Sequence, residues 1–215
     1  MGEKIKNIIF DLGGVVLDID ETMTLNELKK KGVDGHELLK SKEFMALDER
    51  FERGIISAHT FRKQAKALVG LPKMTDSDFD YIWNSMLLDI PRERIHALEQ
   101  IKEHYNIFLM SNTNEIHYDL YVRDLQLRFG YKQFDDLFDK SYFSFDVHLM
   151  KPDPLFFEYI LDHQDIKANE TLFIDDTKTN IDVAQRLGIH TYHIRRDELV
   201  RNLFEKGILR PEVLQ

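Results

Sequence analysis

Four clusters of polar residues in this chain each follow a short apolar run. Asp11, with Gly13 and Gly14 close behind, ends the run Ile8-Ile9-Phe10, and Ser111-Asn112-Thr113-Asn114 follows residues 107–110. Lys151-Pro152-Asp153 comes after the run 142–145, and Asp175-Asp176 after 171–174. These residue types suit one chemistry. A carboxylate can attack phosphorus and split a difficult hydrolysis into two easier steps. An anion attacking a phosphate dianion needs positive charge nearby, which Mg²⁺ held by hard oxygen ligands supplies. Asp11 and Asp175 are the natural metal carboxylates. Ser111 can donate to a phosphoryl oxygen, and Lys151 can neutralise developing charge. The glycines let backbone N–H groups approach a ligand. Each fragment alone is weak, since such residues also make tight turns, helix caps and solvated acidic pairs. Their common position after apolar runs carries the inference.

These clusters need elements that bring them together. The runs 5–10, 107–110, 142–145, 171–174 and 191–194 read as strands, rich in β-branched and aromatic residues. Helical periodicity fills the intervals at 92–104, 116–129, 154–163 and 180–187, the last closed by Gly188. Alternating strands and helices predict a mostly parallel sheet covered on both faces, a Rossmann-like three-layer α/β core. In such a sheet ligands bind at the carboxyl ends of the strands. Residues from about 21 to 89 hold no comparable strand. Thr24 and Glu27 read as a capping box, and Phe79, Ile82, Trp83 and Met86 share one helical face, as do Ala58, Phe61, Ala65, Leu68 and Val69. The expected organisation is an α/β core of residues 1–17 and 90–215, with a four-helix-bundle-like insert at 18–89 after strand one. Glu49, Arg50, Glu52 and Arg53, just before Gly54, are compatible with a loop of that insert facing the core and equally with a solvated helix face.

Composition narrows the function classes. The chain has 215 residues, 43% of them apolar, enough for a sizeable core, and a formal net charge of −9. That charge opposes general attraction to nucleic acid or anionic membranes, and the pair Arg195-Arg196 is too small to reverse it. With no cysteine, disulfides, zinc-thiolate sites and thiol nucleophiles are excluded. The apolar stretch near the amino terminus is cut short by Asp11, so it does not read as a signal peptide, and the expected location is the cytoplasm.

With these residues in order, the sequence resembles the haloacid dehalogenase-like (HAD) hydrolase superfamily. Phe10-Asp11-Leu12-Gly13-Gly14-Val15 looks like its first motif, Ser111-Asn112-Thr113 its second and Lys151-Pro152 its third. Phe173-Ile174-Asp175-Asp176, with Asn180, Ala184 and Gly188 behind it, looks like its fourth, and the insert matches the position of a helical C1-type cap. The subgroup with Asp-Leu-Gly at motif one, including bacterial α-D-glucose-1-phosphate phosphatases, is most similar. The resemblance implies Asp11 as nucleophile and a Mg²⁺ cofactor held by Asp11, the Gly13 carbonyl and Asp175, with Asp176 behind them. It further implies that Ser111 and the Asn112 backbone hold the phosphoryl group of a small phosphorylated metabolite, with Lys151 bridging it to Asp11.

One position departs from the pattern. Family phosphatases mostly carry an aspartate two residues after the nucleophile that protonates the leaving group, and this chain has Gly13 there. Losing a general acid costs on the order of 10²–10⁴ in rate. A leaving group needing little protonation would explain the gap, which favours a sugar 1-phosphate or an acyl phosphate. Alternatively Asp18, Asp20, Asp146 or His148 substitutes. Two other functions compete: a 2-haloacid dehalogenase, which needs neither acid nor metal, and a non-catalytic phosphate-binding or regulatory module.

Overall fold

The structure is a computed structural model that describes residues 4–195 and 198–214. Arg196, half of the basic pair, lies outside them. Five strands form one parallel sheet: β1 (Asn7–Phe10), β2 (Asn106–Ser111), β3 (Lys140–Phe143), β4 (Thr171–Asp175) and β5 (His190–His193), in the order β3-β2-β1-β4-β5. The helices alternating with them are α6 (Arg92–Lys102), α7 (Glu115–Phe129), α8 (Phe134–Leu137), α9 (Ser144–Val147), α10 (Pro154–Gln164) and α11 (Lys178–Arg186). A short hairpin, β6 (Phe204–Glu205) and β7 (Ile208–Leu209), follows β5.

The period-two geometry of a strand sends alternate side chains to opposite faces. Ile8, Phe10, Leu109 and Ile174 pack on one face with Ile95, Leu98 and Ile101 of α6 and Tyr121 and Leu125 of α7. Ile9, Phe108, Met110 and Phe173 pack on the other with Phe156, Phe157 and Ile160 of α10 and Ile181 and Ala184 of α11. The result is the expected three-layer α/β core. The register then sets the site: Phe10 pairs with Leu109 on one side and Ile174 on the other, so Asp11 and Asp175 leave the sheet level with each other.

Between β1 and α6 the chain runs through α1 (Glu21–Lys30), α2 (Gly35–Leu39), α3 (Lys42–Glu52), α4 (Ala58–Leu68) and α5 (Asp76–Asn84). Four of these are the expected bundle-like helices, and α2 is an added short turn. Phe44, Phe51, Phe61, Phe79 and Trp83 fill their shared core, with Phe51 and Phe61 stacked at 4.2 Å between ring centroids. The two connecting strands of chain pair with each other: the Asp18 N–H donates to the Asp89 carbonyl at 2.7 Å and the Leu88 N–H to the Asp18 carbonyl at 2.9 Å.

Two details differ from the sequence reading. The third strand ends at Phe143 rather than 145, because Ser144 turns the chain into α9 and buries its hydroxyl against the Thr113 backbone. Helix α1 is capped by Asp20, whose carboxylate accepts from the Thr22 N–H at 3.0 Å. Thr24 therefore lies inside the helix, its hydroxyl bonded to the Ile82 carbonyl at 3.2 Å, and Glu27 pairs with Lys30 rather than capping.

His117 of α7 joins core and insert. Its ring stacks on Trp83 at 5.4 Å and its Nδ1 lies 2.8 Å from Asn84 Oδ1. Burial drives its pKa down to about 3, from an ordinary 6.5. Below about pH 6.5 the unfolded chain binds a proton that the folded one refuses, so stability falls as pH falls. A His117→Gln variant cannot titrate, and between pH 7 and 5 it is expected to lose about 2 kcal/mol less than the natural chain. Urea unfolding at both pH values checks this; parallel curves for the two proteins would refute it.

Candidate active site

The centre of the strand-end rim is an ion triad. Lys151 Nζ lies 2.7 Å from Asp11 Oδ1 and 2.8 Å from Asp175 Oδ2. The lysine is buried, with its ammonium 5.6 Å from the Phe173 ring centroid. Burial would discharge it, but the two carboxylates outweigh that and hold its pKa above the usual lysine value. Asp175 is wholly buried and spends both oxygens on protein donors. It accepts from the Thr177 N–H at 2.7 Å and from the Asn180 amide at 3.0 and 3.1 Å, besides Lys151. Asp11 is anchored by its own N–H to the Ile174 carbonyl at 3.0 Å and accepts from the Leu12 N–H at 2.7 Å.

Asp176 completes an acidic group. Asp11, Asp175 and Asp176 each offer an oxygen within 4.8 Å of the others. Gly14, at φ +74°, permits this approach, because a Cβ there would collide with the Asp176 carboxylate. Three carboxylates facing one ammonium leave excess negative charge. Burial pushes Asp11 up to about 7; Lys151 opposes this and the Asp175 charge adds to it. A divalent cation would offset that excess. Hard carboxylate oxygens together with a backbone carbonyl are a donor set that suits Mg²⁺. The flap pairs the Gly14 N–H with the Leu17 carbonyl and the Leu17 N–H with the Leu12 carbonyl, and among the described residues no backbone N–H outside the helices and strands donates to the Gly13 carbonyl. The residues therefore fit the ion.

Ser111 and Asn112 come off the end of β2. The Asn112 amide donates to the Lys151 carbonyl at 2.8 Å, and its oxygen accepts from the Lys151 N–H at 2.8 Å. This reciprocal pair fixes the lysine's backbone next to a cis Lys151-Pro152 bond. Ser111 beside it is buried, and its hydroxyl has a single 3.4 Å contact, to the Asn112 carbonyl. Behind them Tyr121 donates to Thr113 Oγ1 at 2.9 Å, and Ser144 bonds the Thr113 backbone from both sides. Asn112→Ala leaves the Lys151 N–H and carbonyl without partners, at an expected cost of about 1–3 kcal/mol. Chemical denaturation checks the stability, and a loss in kcat larger than any change in KM is the expected kinetic mark.

Three of the four residues offered as substitute acids have partners, and the fourth is exposed. Asp18 pairs with Arg94 at 2.6 Å, Asp20 caps α1, Asp146 is exposed, and exposed His148 bonds the Arg53 carbonyl at 2.8 Å. Sequence reasoning missed the support that Thr177 and Ser144 give. Neither carries a local signal, since each acts through a partner distant in the chain or through its backbone.

A model of the haloacid dehalogenase-like hydrolase family matches residues 5–188. The chain belongs to that family. A D-ribitol-5-phosphate phosphatase of Bacteroides thetaiotaomicron is 29% identical to this HAD-like hydrolase over 189 residues, covering 87% of this chain and 91% of the relative. A sesquiterpene phosphatase of Aspergillus oryzae is 27% identical, covering 88% and 89%. Among solved structures, a HAD family enzyme of Bacteroides thetaiotaomicron in complex with magnesium and inorganic phosphate superposes with a TM-score of 0.85. It is 33% identical, and the match covers 94% of this chain and all of that one. Among the described residues of this HAD-like hydrolase, no helix is long and apolar enough to cross a membrane.

Proposed function

We propose that this HAD-like hydrolase is a Mg²⁺-dependent phosphatase of a small phosphorylated metabolite, acting through an aspartyl-phosphate on Asp11. The observation that carries the reading is the lysine held between two strand-end carboxylates, with a third carboxylate alongside. When bound, Mg²⁺ neutralises charge on the transferring phosphoryl group. Asp11 Oδ forms a bond to phosphorus as the ester P–O bond breaks and the electron pair departs on the leaving oxygen. Water then attacks phosphorus, the Asp11–phosphorus bond breaks, and inorganic phosphate leaves. Lys151 fixes the attacking carboxylate and balances charge on the phosphoryl oxygens, while Ser111 and the Asn112 N–H hold those oxygens. Asp175, engaged on both oxygens, anchors Lys151, so Asp11, the Gly13 carbonyl and partly exposed Asp176 would hold the ion, in place of the set with Asp175 that the resemblance implies. In this reading residues 18–89 cap a core of 1–17 and 90–215.

The relative that acts on D-ribitol 5-phosphate supports a primary-alcohol monoester of a polyol or sugar over the sugar 1-phosphate that the missing acid alone would favour. The acidic cluster argues against carbon–halogen chemistry, which has no use for a divalent ion. A phosphate-release screen over polyol phosphates, sugar 1- and 6-phosphates, nucleotides and acyl phosphates tests the reading. Turnover is expected with Mg²⁺ and not with chelator. Phosphate-dependent thermal stabilisation without any turnover would instead indicate a binding module.

A further inference from the structure

An alkoxide leaving group needs a proton, and Gly13 cannot give one. The insert supplies two candidate carboxyls. On α3, Phe44, Leu47 and Phe51 face the insert's core, while Asp48 and Glu52, one turn apart, share a different and partly buried stripe. Helix α3 packs against α9, the helix just before the Lys151 loop. Its carboxyl end is clamped there twice. His148 bonds the Arg53 carbonyl at 2.8 Å, and Gly54, at φ +64°, sits so close to the Phe145 carbonyl that any Cβ would collide with it. The clamp holds the last turn of α3, which ends at Glu52, against the segment that leads to Lys151, and the charge of that lysine acts on Glu52.

The surroundings decide the form of this carboxyl. Glu49, the other acid nearby, pairs outward with Arg53 at 3.0 Å, and Asp48 keeps Oδ1 buried without a partner. Among the described residues neither Asp48 nor Glu52 has a cation paired to it, so two adjacent acids in a poorly hydrated place cannot both stay ionised cheaply. Burial and then the Asp48 charge raise Glu52 to about 8, although Lys151 pulls the other way; burial raises Asp48 to about 7. A protonated carboxyl near the phosphoryl site at neutral pH is what a general acid requires.

We propose that Glu52 of the insert is the catalytic acid of this enzyme, giving its proton to the leaving oxygen in place of the aspartate absent at Gly13. This rests on the phosphatase reading above. As the P–O bond to the alcohol breaks, the Glu52 proton moves to the departing oxygen and releases a neutral alcohol. The Glu52 carboxylate then takes a proton from the water that attacks phosphorus, and both carboxyls return to their starting forms. Asp48 acts as a positioning residue whose proximity keeps Glu52 protonated.

The test compares leaving groups in the full chain with Mg²⁺: ribitol 5-phosphate, which leaves as an alkoxide, and acetyl phosphate, whose acetate leaves without a proton. Glu52→Gln is expected to slow ribitol 5-phosphate turnover by about 10²–10³ and acetyl phosphate by less than about fivefold. Glu52→Asp, which retains a carboxyl, should recover part of the alkyl rate, and Glu49→Gln should match the natural chain on both substrates. An equal loss on both substrates in Glu52→Gln and Glu52→Asp, or no loss on ribitol 5-phosphate, overturns the proposal. If the natural protein hydrolyses neither of these nor any other compound of the phosphate-release screen, the phosphatase reading falls, and this proposal with it.

Discussion

Asp11→Asn is expected to lower phosphate release by a factor on the order of 10⁴ or more, because an amide cannot form the covalent intermediate. The same change should leave the fold intact and raise its melting temperature slightly when Mg²⁺ is absent. The sign follows from burial. The folded chain holds Asp11 at about 7, above its ordinary 3.8, so at neutral pH folding works against the ionised carboxylate. That penalty is present above pH 3.8, grows as pH rises towards 7, and is absent from the amide. Mg²⁺ should raise the melting temperature of the natural chain and have much less effect on the variant. Phosphate release together with thermal unfolding, each with and without Mg²⁺, checks both halves. Retained turnover would remove Asp11 from the mechanism.

Lys151→Met is expected to combine the second largest kinetic effect with the largest loss of stability. Methionine fits the space of the lysine stem but leaves the Asp11 and Asp175 carboxylates facing each other without a countercharge. Breaking a buried pair by removing one partner costs about 3–5 kcal/mol. Loss of charge stabilisation on the phosphoryl oxygens should slow turnover by about 10²–10³. A divalent ion can take over part of the lysine's task, so Mg²⁺ should raise the melting temperature of Lys151→Met more than that of the natural chain. Equal shifts in the two proteins would mean that lysine and ion do not share the Asp11 carboxylate.

The parts of the site that can be read in the sequence are those set by local rules. Asp11, Ser111 and Asp175 each follow an apolar run, and a parallel sheet has to deliver such residues to one rim. The helices of the core were equally legible, because Gly188 and the apolar stripes mark them directly. Thr24 misled because a capping box is a pattern of four residues, and Asp20 a little earlier makes the better cap. Asp175 and Asp176 look alike in sequence. What separates them is their surroundings: nearby Thr177 and Asn180 and distant Lys151 bond the first, while the second stays partly exposed beside Gly14. Glu52 was undetermined for a similar reason. Its helix shows which residues face the insert's own core, but the His148 and Gly54 contacts that seat its end beside the segment before Lys151 come from residues distant in the chain.

Rapid acid quench during turnover of a ³²P-labelled substrate, followed by peptide mapping, addresses the central claim most directly. The account predicts label covalently attached to the peptide containing Asp11, formed only with Mg²⁺ and missing from Asp11→Asn. Phosphate release with no protein-bound label, or label that survives in Asp11→Asn, would contradict it.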